Sequence, residues 1–235
     1  VTAPAEAVER TDWAAVAAAL DEAGAATTGT LLDSDTCAAL AAAYDDDARF
    51  RSRVVMARHG FGQGEYRYFA YPLPDPVAAL RAALYARLVP IANDWERRLG
   101  RAGDFPPSHA EYLARCHAAG QARPTPLLLR YGPGDYNCLH QDLYGPLVFP
   151  LQVVILLSDP AAFDGGAFVV TEQRPRAQSR AEVLTPARGQ GVVFAVNQRP
   201  RQGARGAYRV AHRHGVSRVR AGTRQTLGII FHDAA

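Results

Sequence analysis

The chain has 235 residues, 48% of them hydrophobic and 21% charged, enough to bury one substantial core and to imply a single domain over 1–235. No apolar run reaches the length of a bilayer span, which excludes membrane-spanning helices. The stretch from Val1 lacks the basic segment and apolar core of a secretory leader, so a cytoplasmic location without membrane contact is expected. The formal net charge of +3 divides unevenly, residues 1–150 carrying −4 and residues 151–235 carrying +7; the basic second part suits an anionic cosubstrate and an anionic macromolecule.

The first part, about 1–123, is predicted to be helical with short strands. Thr11 or Asp12 caps a helix through Trp13, Val16 and Leu20 that closes at Gly24. Thr27 to Leu32 is β-prone, and Ser34 caps a second helix through Leu40 to about Tyr44. Aromatic and β-branched residues from Phe50 to Tyr71, interrupted by Gly60, Gly62 and Gly64, predict a strand pair joined by a glycine-rich loop. Asp75-Pro76 opens the longest helix, whose apolar positions Val77, Leu80, Leu84, Leu88, Ile91 and Trp95 recur at three- and four-residue steps. A further helix is expected over Ser108 to Ala119.

After Pro124 the pattern changes to short strands separated by turn residues. The predicted strands are Leu127–Tyr131, Asn137–Asp142, Leu151–Leu157, Ala167–Glu172, Gly191–Val196, Tyr208–Val210, His214–Val219 and Arg224–His232. About eight such strands imply an antiparallel barrel or jelly roll, a cupin-like double-stranded β-helix, over about 124–235, with the helices packed on it. The fold class is therefore α+β.

Within this region His140-Gln141-Asp142 places an imidazole and a carboxylate two residues apart, on one face of a strand. His214 lies late in the sequence at the start of another predicted strand. Two imidazoles and one carboxylate occupy one face of a non-haem iron and leave the other face for a cosubstrate and dioxygen. His140, Asp142 and His214 are therefore the predicted ligands and catalytic centre. His212 competes with His214 on the same face and is expected to be a neighbouring or surface histidine. His59, His109, His117 and His232 have no ligand-like partners at useful spacing. Cys37, Cys116 and Cys138 are odd in number and widely spaced, as reduced thiols are, and Cys138 is expected to be a small buried apolar residue.

Arg224, Thr226 and Gly228 share one face of the last predicted strand, and Leu227, Ile229 and Phe231 share the other. An inward Arg-x-Thr can hold the distal carboxylate of 2-oxoglutarate, with the guanidinium supplying charge and the hydroxyl direction. Tyr131 can donate its phenol to the same anion or serve as a plain barrel-core aromatic. Arg218 and Arg220 are expected at the surface.

The phrases Arg130-Tyr131-Gly132-Pro133-Gly134-Asp135-Tyr136, His140-x-Asp142, Gly165-Gly166-x-Phe168 and His214-Gly215-Val216 to Arg224 resemble the prolyl-hydroxylase-like branch of the Fe(II)- and 2-oxoglutarate-dependent oxygenases. More narrowly, Gly64 to Phe69, Tyr71 to Pro74, Asn137 to Gly145, Thr171 to Pro175 and Leu227 to Asp233 resemble a bacterial family of oxygenases predicted to demethylate damaged DNA oxidatively. The likeness runs from about residue 50 to 233. It departs from the DNA-repair dioxygenases at Leu129 and Ile230, where those enzymes carry an asparagine and a second arginine. The resemblance implies a dioxygenase using Fe(II), 2-oxoglutarate and O₂ to hydroxylate a C–H bond, with release of succinate and CO₂.

An alkylated base in single-stranded or flipped form would need aromatic surfaces and positive charge around the site. Tyr66, Tyr68, Tyr144 and Arg174 are candidate substrate contacts. Two alternatives stay open: hydroxylation of a protein side chain or small molecule at the same site, and a cupin-like metal-binding module without oxygenase activity.

Overall fold

The computed structural model describes residues 3–235. A short helix, α1 (Pro4–Glu9), precedes α2 (Trp13–Ala23). Asp12 caps α2 by accepting the Ala15 N–H at 3.0 Å, and Gly24 closes it at φ 75°. A Cβ at Gly24 would also stand 2.3 Å from the His212 ring, so both conformation and space require glycine there. Strand β1 (Ala25–Thr30) leads to α3 (Ser34–Ala42). The α3 cap is Asp33, which accepts the Thr36 N–H at 2.8 Å; Ser34 is the first helical residue. The glycine-rich stretch forms β2 (Phe50–Val55), β3 (Gly62–Gln63) and β4 (Glu65–Phe69). Then come α4 (Asp75–Arg98) and α5 (His109–Ala118), the latter capped by Ser108.

The second part is β5 (Leu127–Tyr131), β6 (Tyr136–His140), β7 (Leu151–Leu156), β8 (Phe163–Gly165), β9 (Phe168–Gln173), β10 (Arg180–Leu184), β11 (Gln190–Ala195), β12 (Gln198–Gly203), β13 (Gly206–Val216), β14 (Val219–Gly222) and β15 (Arg224–Ile229). The predicted strand Tyr208–Val210 and the first half of the predicted His214–Val219 prove to be one strand, which ends at Val216; Val219 begins β14. Ala211-His212-Arg213 contains no turn former, and β13 is held along its length by β12, β9 and β6. β6 ends at His140, so Asp142 lies just beyond the strand and not within it. β12, rich in arginine and glutamine, carries no apolar alternation and owes its conformation to pairing with β13, and β10 is a largely exposed edge strand held by β9.

The larger sheet has the order β1-β11-β7-β15-β5-β4-β2; the smaller runs β10-β9-β13-β6-β3, with β12 also on β13. All pairings are antiparallel. Because side chains alternate along a strand, the larger sheet buries two different faces. Its outer face (Leu128, Val153, Ile155, Leu227, Ile229) packs on the apolar stripe of α4 (Val77, Leu80, Leu84, Leu88). Its inner face meets the smaller sheet through Tyr131, Val154, Val192, Phe194, Phe168, Val170 and Val216. This two-sheet sandwich is a double-stranded β-helix with helices supporting one side. Arg81 on α4 ties down the chain after β15: its Nε donates to the Ile230 carbonyl and its Nη2 to Asp233, both at 2.8 Å.

Candidate metal centre

The sheet register creates the site. β13 runs antiparallel to β6 with His214 directly opposite His140, and their rings lie 4.2 Å apart. Asp142 folds back from the end of β6, with Oδ1 3.5 Å from His140 Nε2 and Oδ2 3.4 Å from His214 Nε2. One ligand atom from each of the three lies within 4.8 Å of the others, a spacing that a single cation can bridge. Gly215 permits the close approach: a Cβ there would meet the Asn137 carbonyl oxygen at 2.6 Å.

Hydrogen bonds fix the ligand atoms. His140 Nδ1 lies 2.8 Å from the Cys138 carbonyl, an oxygen that can only accept, so Nδ1 carries the proton and Nε2 keeps its lone pair. Cys138 itself is exposed, contrary to expectation, at a register irregularity between β6 and β13, where His140 faces His214 but Asn137 faces Val216. Burial by itself would raise the Asp142 carboxyl, but hydrogen bonds and charge from His140 and His214 hold it well below its ordinary value. Burial, then the neighbouring His140, lowers His214. His140 is pushed down by burial and raised further by Asp142, ending above its ordinary value. An ionised carboxylate between two imidazoles is a donor set that fits a divalent metal.

The three residues open into a cavity of about 200 Å³ that Arg224, Thr226, Tyr131 and Asn137 also line. Arg224 faces inward from the start of β15, opposite Tyr131, its guanidinium 5.7 Å from that ring. It is 2% exposed, makes no ion pair among the described residues, and its Nη1 has no hydrogen-bond partner. Burial lowers its pKa to about 10, which still leaves it cationic at neutral pH. A buried cation without an anion is costly, and a carboxylate arriving in the cavity would relieve it. The residues present therefore fit a dicarboxylic cosubstrate. Gly166 makes room: a Cβ there would sit 2.7 Å from Arg224 Cδ. Tyr131 is fully buried and its hydroxyl accepts from Asn137 at 3.4 Å; burial pushes its pKa up to about 12.

Of the candidate substrate contacts, Tyr66, Tyr68 and Tyr144 line the cavity and Arg174 does not. Arg174 is committed to Glu172 at 2.7 Å, in a buried cluster where Glu172 also binds Arg199 and Arg201. His212 belongs to that cluster: it is fully buried and accepts from Arg199 Nε at 3.0 Å, so it is not a surface histidine. Arg199 also caps the end of α2 by donating to the carbonyls of Asp21 and Glu22. One of the three tyrosines bonds to the carboxylate and a second acts through that tyrosine. Tyr68 donates to Tyr144 at 3.0 Å, and Tyr144 donates to Asp142 Oδ1 at 2.6 Å.

Sequence reasoning missed Gln141, the middle residue of the His-x-Asp phrase. Its Nε2 reaches Asn197 at 2.8 Å and the His212 carbonyl at 2.7 Å, holding the turn between the two ligands against β13. Only the spatial proximity of β13 could reveal this. Tyr144 had a signal, an even spacing from Asp142, but the chain leaves the strand before it.

A family model described as an oxygenase catalysing oxidative methylation of damaged DNA matches residues 64–234. The chain belongs to this oxygenase family. It is similar, at 52% identity over 168 residues, to the uncharacterized proteins MT2286 and Rv2227 of Mycobacterium tuberculosis, the alignments covering 71% of this chain and 72% of each relative. Its fold is shared with the crystal structure of a Pseudomonas putida prolyl-4-hydroxylase (TM-score 0.55, 16% identity, 95% of this chain and all of that one). It is also shared with an oxidoreductase of the 2OG-Fe(II) oxygenase family from Burkholderia pseudomallei (TM-score 0.54, 22% identity, 96% and 94% covered). No helix among the described residues is long and apolar enough to cross a membrane.

Proposed function

We propose that this oxygenase binds Fe(II) through His140, Asp142 and His214 and 2-oxoglutarate through Arg224, assisted by Thr226 and Tyr131, and that it hydroxylates an N-methyl group of alkylated DNA. One observation carries the reading: three ligand atoms within 4.8 Å of one another share a cavity with a buried arginine that has no anion partner among the described residues. Bound there, iron, 2-oxoglutarate and dioxygen supply the oxidising power for C–H hydroxylation, with succinate and CO₂ released.

The residues do the remaining work. Asp142, held ionised, and the neutral nitrogens of the two histidines offer three adjoining ligand atoms, leaving the cavity side open. Arg224 anchors the cosubstrate's distal carboxylate from a buried position, so the interaction is strong and directional. Phe168 and Phe194, with ring centroids 5.9 and 4.5 Å from that of His214, form an apolar wall that keeps water from the reacting centre. A hydroxylated N-methyl group is a hemiaminal; it loses formaldehyde and restores the N–H, so the net change on the base is demethylation.

The nucleic-acid substrate is supported by the family description and by a cavity mouth of aromatic side chains, Tyr66 and the 47%-exposed Phe61, on which an extruded base can stack. The three free cysteines suit a reducing cytoplasm. The test is oxygen-dependent succinate and formaldehyde release from a single-stranded oligonucleotide carrying one N-methylated base, beside a proline-containing peptide. Release with the oligonucleotide alone supports the reading. Succinate release without formaldehyde, with the peptide alone, moves the substrate to protein, and no 2-oxoglutarate turnover with either rejects the cosubstrate assignment.

A further inference from the structure

One buried polar group in the cavity has no part in the function just described. Gln152, on β7, is 3% exposed and lines the cavity, yet its Nε2 has no hydrogen-bond partner among the described residues. It stands opposite Phe194 on β11, whose ring lies against His214. A buried amide donor left unsatisfied disfavours the fold, and an apolar side chain of the same size would avoid the penalty. Folding therefore gives no reason for this glutamine, whereas a ligand with an acceptor does.

The register decides which ligand. On the other side of β7 the ladder to β15 ends with Val153 opposite Ile229, which places Gln152 beside Ile230. Ile230 is six residues along from Arg224, a backbone separation of roughly 20 Å at about 3.3 Å per residue. A diacid anchored on Arg224 holds its distal carboxylate at the other end of that strand, whereas Gln152, beside Phe194, stands on the His214 side of the cavity. The free amide therefore lies at the metal end of the cavity, which the reacting group of the primary substrate must also approach. Its neighbours Phe194, Val154 and Ile230 offer no hydrogen bonds from their side chains, and the hydroxyls of Tyr68 and Tyr144, clustered with Ile230, are engaged with each other and with Asp142.

We propose that Gln152 is a specificity-determining residue whose carboxamide N–H donates to an acceptor on the primary substrate, a ring nitrogen or carbonyl oxygen on the edge of the modified base. A carboxamide offers a donor and an acceptor side by side and so matches a base edge that presents the complementary pair. A base lacking the acceptor would leave the amide buried and unpaired, so discrimination comes from the penalty as much as from the bond. The inference rests on the nucleic-acid reading of the site.

The test is Gln152→Met, which keeps length and volume and removes the donor. Four quantities are compared with wild type: melting temperature, 2-oxoglutarate affinity of the Mn(II)-loaded protein, binding of the N-methylated single-stranded oligonucleotide by anisotropy, and its KM. The expected result is a melting temperature equal or higher, unchanged 2-oxoglutarate affinity, and a rise of about tenfold or more in oligonucleotide Kd and KM. A Gln152→Asn variant, which withdraws the amide by one methylene, should fall between the two and serves if the methionine variant does not fold. Oligonucleotide binding equal to wild type in the variants overturns the proposal. A parallel loss of 2-oxoglutarate affinity also overturns it, by reassigning Gln152 to the cosubstrate. If wild type itself neither binds nor turns over the oligonucleotide, the nucleic-acid reading fails first and this inference falls with it.

Discussion

Replacing Tyr144 by phenylalanine should weaken metal binding by roughly one to two orders of magnitude without unfolding the protein. Tyr144 donates to Asp142 Oδ1 at 2.6 Å, and Tyr68 donates in turn to Tyr144 at 3.0 Å. Because the Tyr68 proton points at the Tyr144 oxygen, the Tyr144 proton has only the carboxylate to serve. The chain of phenols thus has a fixed direction, ending on the ligand. A hydrogen bond to an ionised group contributes about 1.5–3 kcal/mol, which at about 1.4 kcal/mol per decade is about 10–100-fold in affinity. Groups that orient metal ligands generally contribute in that range. Tyr68→Phe leaves the final donor in place and should cost less than about tenfold. The measurement is anaerobic titration with Fe(II), or with Mn(II) as a redox-stable substitute, together with thermal melting. The reasoning is refuted if Tyr144→Phe binds metal as tightly as wild type while His140→Ala does not bind. It is equally refuted if Tyr68→Phe costs more than Tyr144→Phe.

Three further outcomes follow from the same structure. Arg224→Leu should abolish measurable 2-oxoglutarate binding, since removing one partner of a buried charge pair costs about 2–5 kcal/mol. Without cosubstrate it should melt no lower than wild type, because a buried cation lacking an anion has been removed; a clear drop in melting temperature would contradict that account. Gly215→Ala should destabilise by about 1–3 kcal/mol and weaken metal binding, because the added Cβ meets the Asn137 carbonyl at 2.6 Å and displaces His214. Unchanged urea midpoints and metal affinity would show that β6 and β13 can separate freely. For pH, burial first and the Arg81 charge second push His109 and His232 down to about 4 from 6.5. Between those values the unfolded chain binds more protons than the native one. Stability should therefore hold above about pH 6.5 and fall as pH drops toward 4, by up to about 3 kcal/mol per histidine. Urea midpoints measured across that range should decline less steeply in His109→Gln, and an identical slope would reject the assignment.

The local chemistry of this protein was legible in its sequence because it depends on short-range periodicity. The apolar steps from Val77 to Trp95 specify the helix that covers the sheet, and alternation along β15 separates Arg224 and Thr226 from Leu227 and Ile229. His140, Asp142, His214 and Arg224 could be selected because few residue types bind iron or clamp a carboxylate. Partnerships between distant segments were not legible. Arg174, chosen as a substrate contact for its charge, is held by Glu172 beside Arg199 and His212, residues that only the pairing of β9, β12 and β13 brings together. The strand β12 has no pattern of its own and exists because β13 supplies its hydrogen bonds. Tyr144's bond to Asp142 and the free amide of Gln152 both depend on where the chain travels after leaving a strand or on which strand lies opposite. Periodicity says which way a side chain points; register between strands far apart in sequence says what it meets, and that is decided by the packing of the whole sandwich.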